Sequence, residues 1–263
     1  MPQHTRRIVI RRITGFGAAF ALVLLLGATA SAADFSFSTG APDGRLGAAT
    51  RPDSRGKIEI EAADDFILSS ETCITQATFT GLLFHGGRGE IRDVVVEIYR
   101  VFPEDSDPTR TIRVPTRTNS PSDVAFEERS SADDSLQFTT TFPDAHFQAA
   151  NSVINGIHPS PDQFTGGEGP VAGQEVRFTV KFDPPFDLPA DHYFFVPQVE
   201  LQGRGGNFLW LSAPGPPSFA GDLQMWIRNA ELEPDWLRVG TDIVGGATFN
   251  GSFSLSGTTG SCP

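Results

Sequence analysis

Residues 176–182 (VRFTVKF) decide the fold, because apolar and polar side chains alternate strictly along them. The apolar set is Val176, Phe178, Val180 and Phe182, and the polar set is Arg177, Thr179 and Lys181. Alternation with a period of two is typical of an antiparallel β-strand that buries one face and exposes the other to water. The segment therefore predicts a sheet that covers a hydrophobic core.

Other segments extend this pattern along the chain. Two of them alternate, with inward sets at Leu136, Phe138, Thr140 and Phe142 and at Phe249, Gly251, Phe253 and Leu255. Residues 94–102 and 192–201 are apolar on both faces, which favours central strands covered by a second layer. Pro197 in the latter predicts a bulge or a sheet edge, because proline lacks the N–H that a β-ladder needs.

Further strand candidates are 59–62, 73–84, 111–116, 207–212, 223–228 and 236–239. No long amphipathic helix competes with them, and the best helical stretch, 147–154, has room for one or two turns only. The 27 glycines and 20 prolines suit strands and turns, and the 22 phenylalanines supply a core between two sheets. We therefore predict an all-β fold, an antiparallel two-sheet β-sandwich with jelly-roll-like topology. Its long loops, 158–175 and 213–221, lie where ligand sites usually occur.

The first 32 residues have the three parts of an export signal. Four arginines precede the apolar run 15–26, and the small residues 28–32 (ATASA) offer cleavage sites; the arginines are Arg6, Arg7, Arg11 and Arg12. We expect cleavage after Ala30 or Ala32, with an uncleaved anchor as the alternative, and a secreted or periplasmic mature protein that is not inserted in a membrane. Residues 33–56 are interpreted as a flexible leader and 57–263 as a single β-sandwich domain.

The charge of the chain excludes two classes of partner. Four of the 20 basic residues but none of the 32 acidic ones lie in residues 1–32, so the mature net charge is −16. The only lysines are Lys57 and Lys181. Nucleic acids and anionic membranes both require a dense basic patch, and we expect neither as a partner.

The two cysteines, Cys73 and Cys262, both lie in the mature part of the chain. In an oxidising compartment such a pair usually forms a disulfide, which would tie the last residues to an early strand. Closing a loop of nearly the whole domain stabilises it by about 4–5 kcal/mol in the chain-entropy model. Two free buried thiols are the alternative.

Short motifs frame the mature chain from one end to the other. They are a G-x-P-x-G leader at 40–44, an A-D-D-F opening at 63–66, an I-T-x-x-x-F strand at 74–79 and an F-x-L-x-G strand at 253–257. In these motifs the chain resembles a broad group of secreted bacterial proteins. The resemblance implies an exported, jelly-roll-like sandwich, and it implies no particular activity.

Glu59 and Glu61 form the acidic pair whose spacing best suits catalysis. Residues two apart on a strand share a face, and some jelly-roll glycosidases place a nucleophile and a general acid in this way. A solvated strand face is the favoured alternative. No nucleophile elbow, phosphate-binding glycine loop or histidine ligand spacing accompanies the pair, so a non-catalytic protein is the favoured class.

A structural Ca²⁺ is the one cofactor for which the sequence offers ligands. Asp64 and Asp65 are the first candidates, ahead of the acidic groups at 105–107 and 133–134. Calcium takes six or more oxygen ligands, and none of these groups has the spacing of a complete calcium loop. Roles in turns and helix caps are the favoured alternative for each group.

Three tryptophans, Trp210, Trp226 and Trp236, fall in the last quarter of the chain, with Arg238 close to the last of them. Exposed indoles flanked by polar side chains can stack on sugar rings, whereas core packing is the commoner fate of tryptophan. We expect a non-catalytic exported sandwich that binds an extracellular glycan or an envelope protein, or has a structural role. The alternatives are a polysaccharide-active enzyme that uses Glu59 and Glu61, and a calcium-stabilised adhesion module.

Overall fold

The computed structural model describes residues 33–54, 56–84, 91–110, 114–157, 164–203, 205–215 and 221–263. Its strands form two sheets. The larger sheet contains β1 (Asp34–Ser38), β2 (Leu46–Ala49), β4 (Thr72–Phe84), β7 (Leu136–Thr141), β8 (Phe147–Ala149), β9 (Asn151–Val153), β10 (Val171–Leu188), β12 (Asn207–Ala213), β15 (Asn250–Gly251) and β16 (Phe253–Thr259). The smaller sheet contains β3 (Ile60–Ile67), β5 (Ile91–Arg100), β6 (Glu127–Ser130), β11 (His192–Leu201), β13 (Trp226–Asn229) and β14 (Leu237–Arg238). A π-helical turn, Val239–Val244, follows β14.

Two long strands, β4 and β10, form the centre of the larger sheet and pair antiparallel along most of their length. On the other side of β4, β16 pairs with its first part and β12 with its last part. The sheet continues from β16 to β1 and from β12 to β2 and β9, and β2 and β9 run parallel. The other edge of β10 pairs with β7 and β8. Strands therefore extend the sheet on both sides of the central pair β4 and β10.

The smaller sheet is antiparallel throughout, in the order β14-β13-β3-β11-β5-β6. Beyond Phe195, β11 pairs only with β5. Pro197 lies in this part of the strand, and its carbonyl accepts a hydrogen bond from Thr50 Oγ1 at 2.6 Å. The predicted edge position of the proline is therefore confirmed.

Aromatic side chains fill the space between the two sheets. Phe79 and Phe178 stack within the larger sheet at 4.7 Å between ring centroids. Phe195 of the smaller sheet stacks on Phe253 of the larger one at 4.9 Å. The predicted all-β, antiparallel two-sheet sandwich is confirmed, and its jelly-roll-like topology stays a prediction.

The interpretation of residues 33–56 as a flexible leader is wrong, because β1 and β2 lie within this segment and both join the larger sheet. Residues 46–50 are buried. The small side chains that looked like a linker allow close packing: a Cβ on Gly47 would lie 3.2 Å from Leu209 Cβ. The helical stretch predicted at 147–154 is also wrong, since β8 and β9 lie there.

Four predicted segments fall wholly or partly outside the described residues. The signal peptide, 1–32, lies outside them, as do 111–113 of one strand candidate, 158–163 of the first long loop and 216–220 of the second. The described end of that strand candidate, 114–116, is not a strand, and the first loop ends at Val171, where β10 begins.

A disulfide joins Cys73 on β4 to Cys262, which follows β16. The two residues are 189 positions apart in sequence, so the bond closes most of the domain, as predicted. In the described part of the chain, no helix has the length and hydropathy to span a membrane.

Candidate functional site

A second hydrophobic cluster covers the outer face of the smaller sheet, away from the larger one. Its members are Ala63, Tyr99, Phe194, Val196, Trp226 and Trp236. They alternate along their strands with residues of the main core, such as Ala62 and Ile98. Val101, Ala125 and Leu223 pack against the cluster from the connecting segments. The smaller sheet is therefore covered on both faces.

Arg228 is the centre of a buried polar network beside this cluster. Its Nε and Nη2 atoms donate to the two carboxylate oxygens of Glu61, the latter at 3.1 Å. Nη2 also donates to the Tyr99 hydroxyl at 2.8 Å, and that hydroxyl donates to Glu61 at 2.7 Å. Nη1 reaches the carbonyls of Asp123 and Pro234, and the guanidinium lies 4.4 Å from the Trp236 ring centroid. Both charged groups of the ion pair are thus buried and hydrogen-bonded.

Two further carboxyl groups border this network on the same face of the sheet. Burial raises the pKa of Glu97 to about 9, and the negative charge of Glu61 adds to the shift. Glu97 is therefore protonated at neutral pH. Burial also raises the pKa of Glu59, and its neighbour Glu61 contributes; Gln198 Nε2 donates to Glu59 Oε1 at 3.0 Å.

This arrangement bears on the alternative of an enzyme that uses Glu59 and Glu61. Glu61 lies on β3 and Glu59 directly precedes that strand, close enough for the Glu61 charge to raise the pKa of Glu59. Glu61, however, is only 3 % exposed and is held by Arg228 and Tyr99. A carboxylate in this position has no free surface for a sugar, so its observed contacts are structural ones.

A cleft of about 380 Å³ opens beside the second hydrophobic cluster. Its lining is mainly polar: Thr116, Thr118, Asn119, Asp222, Leu223, Gln224, Trp226, Arg238 and Thr248. The volume falls within the range of small-molecule sites, about 300–1,000 Å³. Side-chain hydroxyl, amide, carboxylate and guanidinium groups converge on it from three separate parts of the chain.

The Trp226 indole supplies a hydrogen-bond donor that the protein leaves unused. Trp226 is 1 % exposed, and its Nε1 has no hydrogen-bond partner among the described residues. A buried donor without a partner costs about 1–3 kcal/mol, so most such groups in proteins are satisfied. An acceptor on a ligand in the cleft would satisfy this one.

Hydrogen bonds of two arginines hold the walls of the cleft. Arg117, beside the lining residues Thr116 and Thr118, is buried and donates to the carbonyls of Asp107 and Arg110 at 2.7 and 2.6 Å. On the opposite wall, Nε and Nη2 of Arg238 bond both oxygens of Asp242, at 2.9 and 2.6 Å. Because the Arg238 side chain uses only two of its N–H groups to bond Asp242, its remaining N–H groups can donate to a ligand.

Asp64 and Asp65 are the predicted calcium ligands, and both carboxylates accept hydrogen bonds from backbone N–H groups. Asp65 Oδ1 accepts from the Leu223 N–H at 2.9 Å, which positions one edge of the cleft, and His192 Nε2 lies 2.6 Å from Oδ2. Asp64 Oδ2 accepts from the Gly251 N–H at 2.9 Å. Burial raises the pKa of both carboxyl groups, most strongly that of Asp64. Among the described residues, no group of three acidic, histidine or cysteine side chains has metal-binding geometry.

The structure separates the tryptophans that the sequence groups together. Trp210 lies in the core between the sheets and donates to the Ser252 carbonyl at 3.0 Å. Trp236 belongs to the second hydrophobic cluster and donates to the Ser122 carbonyl at 3.1 Å. All three indoles are buried, so none offers a face for stacking on a sugar. Trp226 and Arg238 do meet, as lining residues of the cleft.

The other lining residues carry no signal in the sequence that marks them as a site. Thr116 is the last residue of a segment predicted to be a strand, Thr118 and Asn119 follow it, and nothing in the local pattern separates them from an ordinary polar turn. Arg228 was missed because its partners, Glu61 and Tyr99, are distant in sequence. No protein-family model, curated protein or solved structure matches the chain.

Proposed function

We propose that this chain is an exported, non-catalytic β-sandwich protein that binds an extracellular glycan in the cleft lined by Trp226 and Arg238. The observation that carries the proposal is the Nε1 donor of the lining residue Trp226, which is buried and has no hydrogen-bond partner among the described residues. A ligand acceptor there would remove a desolvation cost that the free protein bears.

The chemistry of the lining favours a sugar over an apolar ligand. Three threonine hydroxyls and two side-chain amides both donate and accept hydrogen bonds, as sugar hydroxyls do. Arg238 and Asp222 add one charged donor and one charged acceptor. Because the cleft and a glycan both carry many hydroxyl and amide groups, each can form hydrogen bonds with the polar atoms that become buried on the other when they bind.

A binding role fits the cleft better than hydrolysis does. Glycoside hydrolysis usually requires a pair of carboxyl groups on either side of the scissile bond. Asp222 is the only carboxyl group among the cleft-lining residues of the described chain. Glu61, the best catalytic candidate in the sequence, is occupied by Arg228.

Export is supported by two independent features. The first 32 residues have the sequence of a signal peptide, and disulfides such as Cys73–Cys262 persist in oxidising compartments. A secreted or periplasmic glycan, or an envelope component that carries one, is accessible to a protein in either place.

A matched pair of tryptophan variants tests the proposal. The mature protein is screened on a glycan array, and the best ligand is titrated against Trp226→Phe and Trp236→Phe. Trp226→Phe removes the unpartnered N–H, so we expect glycan affinity to fall while unfolding free energy changes by less than about 1 kcal/mol. Trp236→Phe removes a satisfied hydrogen bond away from the cleft, so we expect lower stability with unchanged affinity.

Two outcomes would contradict the proposal. An array without any binding glycan would remove the ligand class and leave a structural role for the domain. Equal affinity of the wild type and Trp226→Phe for a binding glycan would place that glycan elsewhere on the protein.

A further inference from the structure

The outer face of the larger sheet carries an ordered array of polar side chains. Five strands lie side by side on this face, in the order β1, β16, β4, β10 and β7. One residue of each strand pairs directly with its neighbours, so that the five form a row across the sheet. The aligned residues, which we call the hydroxyl row, are Ser38, Ser254, Thr78, Thr179 and Thr139. All five side chains carry a hydroxyl group, and Thr78 Oγ1 lies 2.7 Å from Ser254 Oγ.

Two parallel rows flank the hydroxyl row at a distance of two residues along each strand. On one side are Ser36, Ser256, Gln76, Lys181 and Gln137. On the other side are Thr80, Arg177 and Thr141. None of these positions holds a carboxylate, although the mature chain has a net charge of −16. The array is therefore a neutral to positive surface on a strongly acidic protein.

Solvent reaches this surface over most of its extent. Strands are about 4.8 Å apart and two residues span about 6.7 Å, so the array covers about 19 by 13 Å. The members on the outer strands are exposed, and all those on the central strands except Thr80 are partly exposed. A depression of about 230 Å³ lies at one end, lined by Arg177, Thr78, Ser38 and neighbouring residues.

Two cations on this surface differ from the other basic residues of the described chain. Eight described arginines form salt bridges with carboxylates. Arg51 and Lys57 instead bond to Asn207 and to the Gly206 carbonyl. Arg177 and Lys181 have neither a salt bridge nor a hydrogen bond to a described residue, and both are exposed. Arg177 does interact electrostatically with the buried Glu175 carboxylate, two residues earlier on β10. Both cations are available to an external acceptor.

We propose that this outer face is a second binding surface, separate from the cleft, for an extended polysaccharide that carries well-spaced carboxylates. Arg177 and Lys181 are four residues apart on β10, which places their backbones about 13 Å apart along the strand. The polymer lies along β10, with a carboxylate at each cation and neutral sugars over Thr179 between them. Hydroxyl groups of the array then donate to and accept from sugar hydroxyls.

The spacing of the cations explains why the ligand is a sparsely charged polymer. A nucleic acid carries a charge about every 1.7 Å along the duplex axis and requires many cations, whereas this face supplies two. The remaining negative charge of the protein opposes a dense polyanion. At physiological ionic strength charges more than about 8 Å away are largely screened, so carboxylates beyond the array weaken binding of a sparse polymer only slightly.

The experiment is affinity electrophoresis of the mature protein in gels that contain hyaluronan, in which uronate and neutral sugars alternate, or dextran, which is neutral. We expect hyaluronan to retard the protein and dextran to leave its mobility unchanged. Arg177→Gln with Lys181→Gln should weaken retention about tenfold or more, which corresponds to 1.4 kcal/mol. The control pair, Arg45→Gln with Arg92→Gln, removes the same charge elsewhere and should retain binding.

Several results would overturn the proposal. They are the absence of retardation by hyaluronan, equal retention by dextran, and equal loss in the two double variants. Loss of retention in Trp226→Phe would assign the polymer to the cleft, which separates failure here from failure of the proposed function. Sedimentation equilibrium provides the remaining test: a dimer that Arg177→Gln with Lys181→Gln converts to a monomer would identify a second copy of the chain as the occupant.

Discussion

Replacing Arg228 by methionine should strongly destabilise the smaller sheet. Methionine keeps an unbranched, apolar side chain but removes the guanidinium that bonds Glu61 and Tyr99. The variant leaves the Glu61 carboxylate buried, with the Tyr99 hydroxyl as its remaining donor among these groups. The carbonyls of Asp123 and Pro234 also lose the Nη1 donor.

The size of the effect follows from burial. Both partners have side chains only 4 % exposed, and removing one partner of a buried ion pair costs about 3–5 kcal/mol because the other charge stays uncompensated. The cation over Trp236 contributes within this range, since a desolvated cation–π contact is worth about 2 kcal/mol. Arg92→Met is the control, because Arg92 is 65 % exposed in its pair with Glu200 and such pairs contribute about 1 kcal/mol or less.

Urea unfolding followed by tryptophan fluorescence measures these free energies. In the double variant Glu61→Gln with Arg228→Met no charge remains unpaired, so we expect a coupling energy of about 2–3 kcal/mol between the two sites. A loss for Arg228→Met no larger than that of Arg92→Met would refute the reasoning.

Three further predictions concern covalent closure, pH and calcium. Replacing Cys73 and Cys262 by alanine should lower the unfolding free energy by about 5 kcal/mol, and an unchanged urea midpoint would contradict this. Because Glu97 has a folded pKa of about 9 against 4.5 unfolded, the native state binds the extra proton between these values, and stability falls as pH rises through them. Glu97→Gln mimics the protonated form and should flatten this slope in thermal melts across that window; an unaltered slope would assign it to other groups. If Asp64 and Asp65 hold a structural Ca²⁺, calcium raises the Tm and EDTA lowers it, whereas identical melting curves would remove the calcium alternative.

The regular part of the fold could be predicted from the sequence because period-two alternation is a local property. The strands β7, β10 and β16 alternate over their own lengths, and the segments at 94–102 and 192–201 reveal strands covered on both faces. The alternation of apolar and polar residues is absent from β2, whose small residues have the composition of a linker. Their size is explained only by the approach of Leu209 from β12.

The candidate site was harder to predict, because its residues become neighbours only through tertiary structure. Trp226 and Arg238 were identified by residue type, and they do line the cleft. Sequence could not reveal that the Trp226 ring is buried and that its N–H has no hydrogen-bond partner among the described residues. It also could not show that Arg228 binds Glu61, since these two residues of the paired strands β3 and β13 are 167 positions apart in sequence.

The outer face of the smaller sheet is covered and that of the larger sheet is open, and this difference restricts where a ligand can bind. On the smaller sheet, Glu61, Arg228 and Tyr99 are buried and bonded to one another, so their charges and hydroxyl serve stability, and a cleft remains only at the margin of this face. On the larger sheet no second cluster of buried hydrophobic residues covers the described outer face, and its hydroxyl groups and two cations stay accessible. Because polar groups contribute to recognition only when a ligand can replace their water, the binding capacity of this acidic protein should reside in the marginal cleft and the uncovered face.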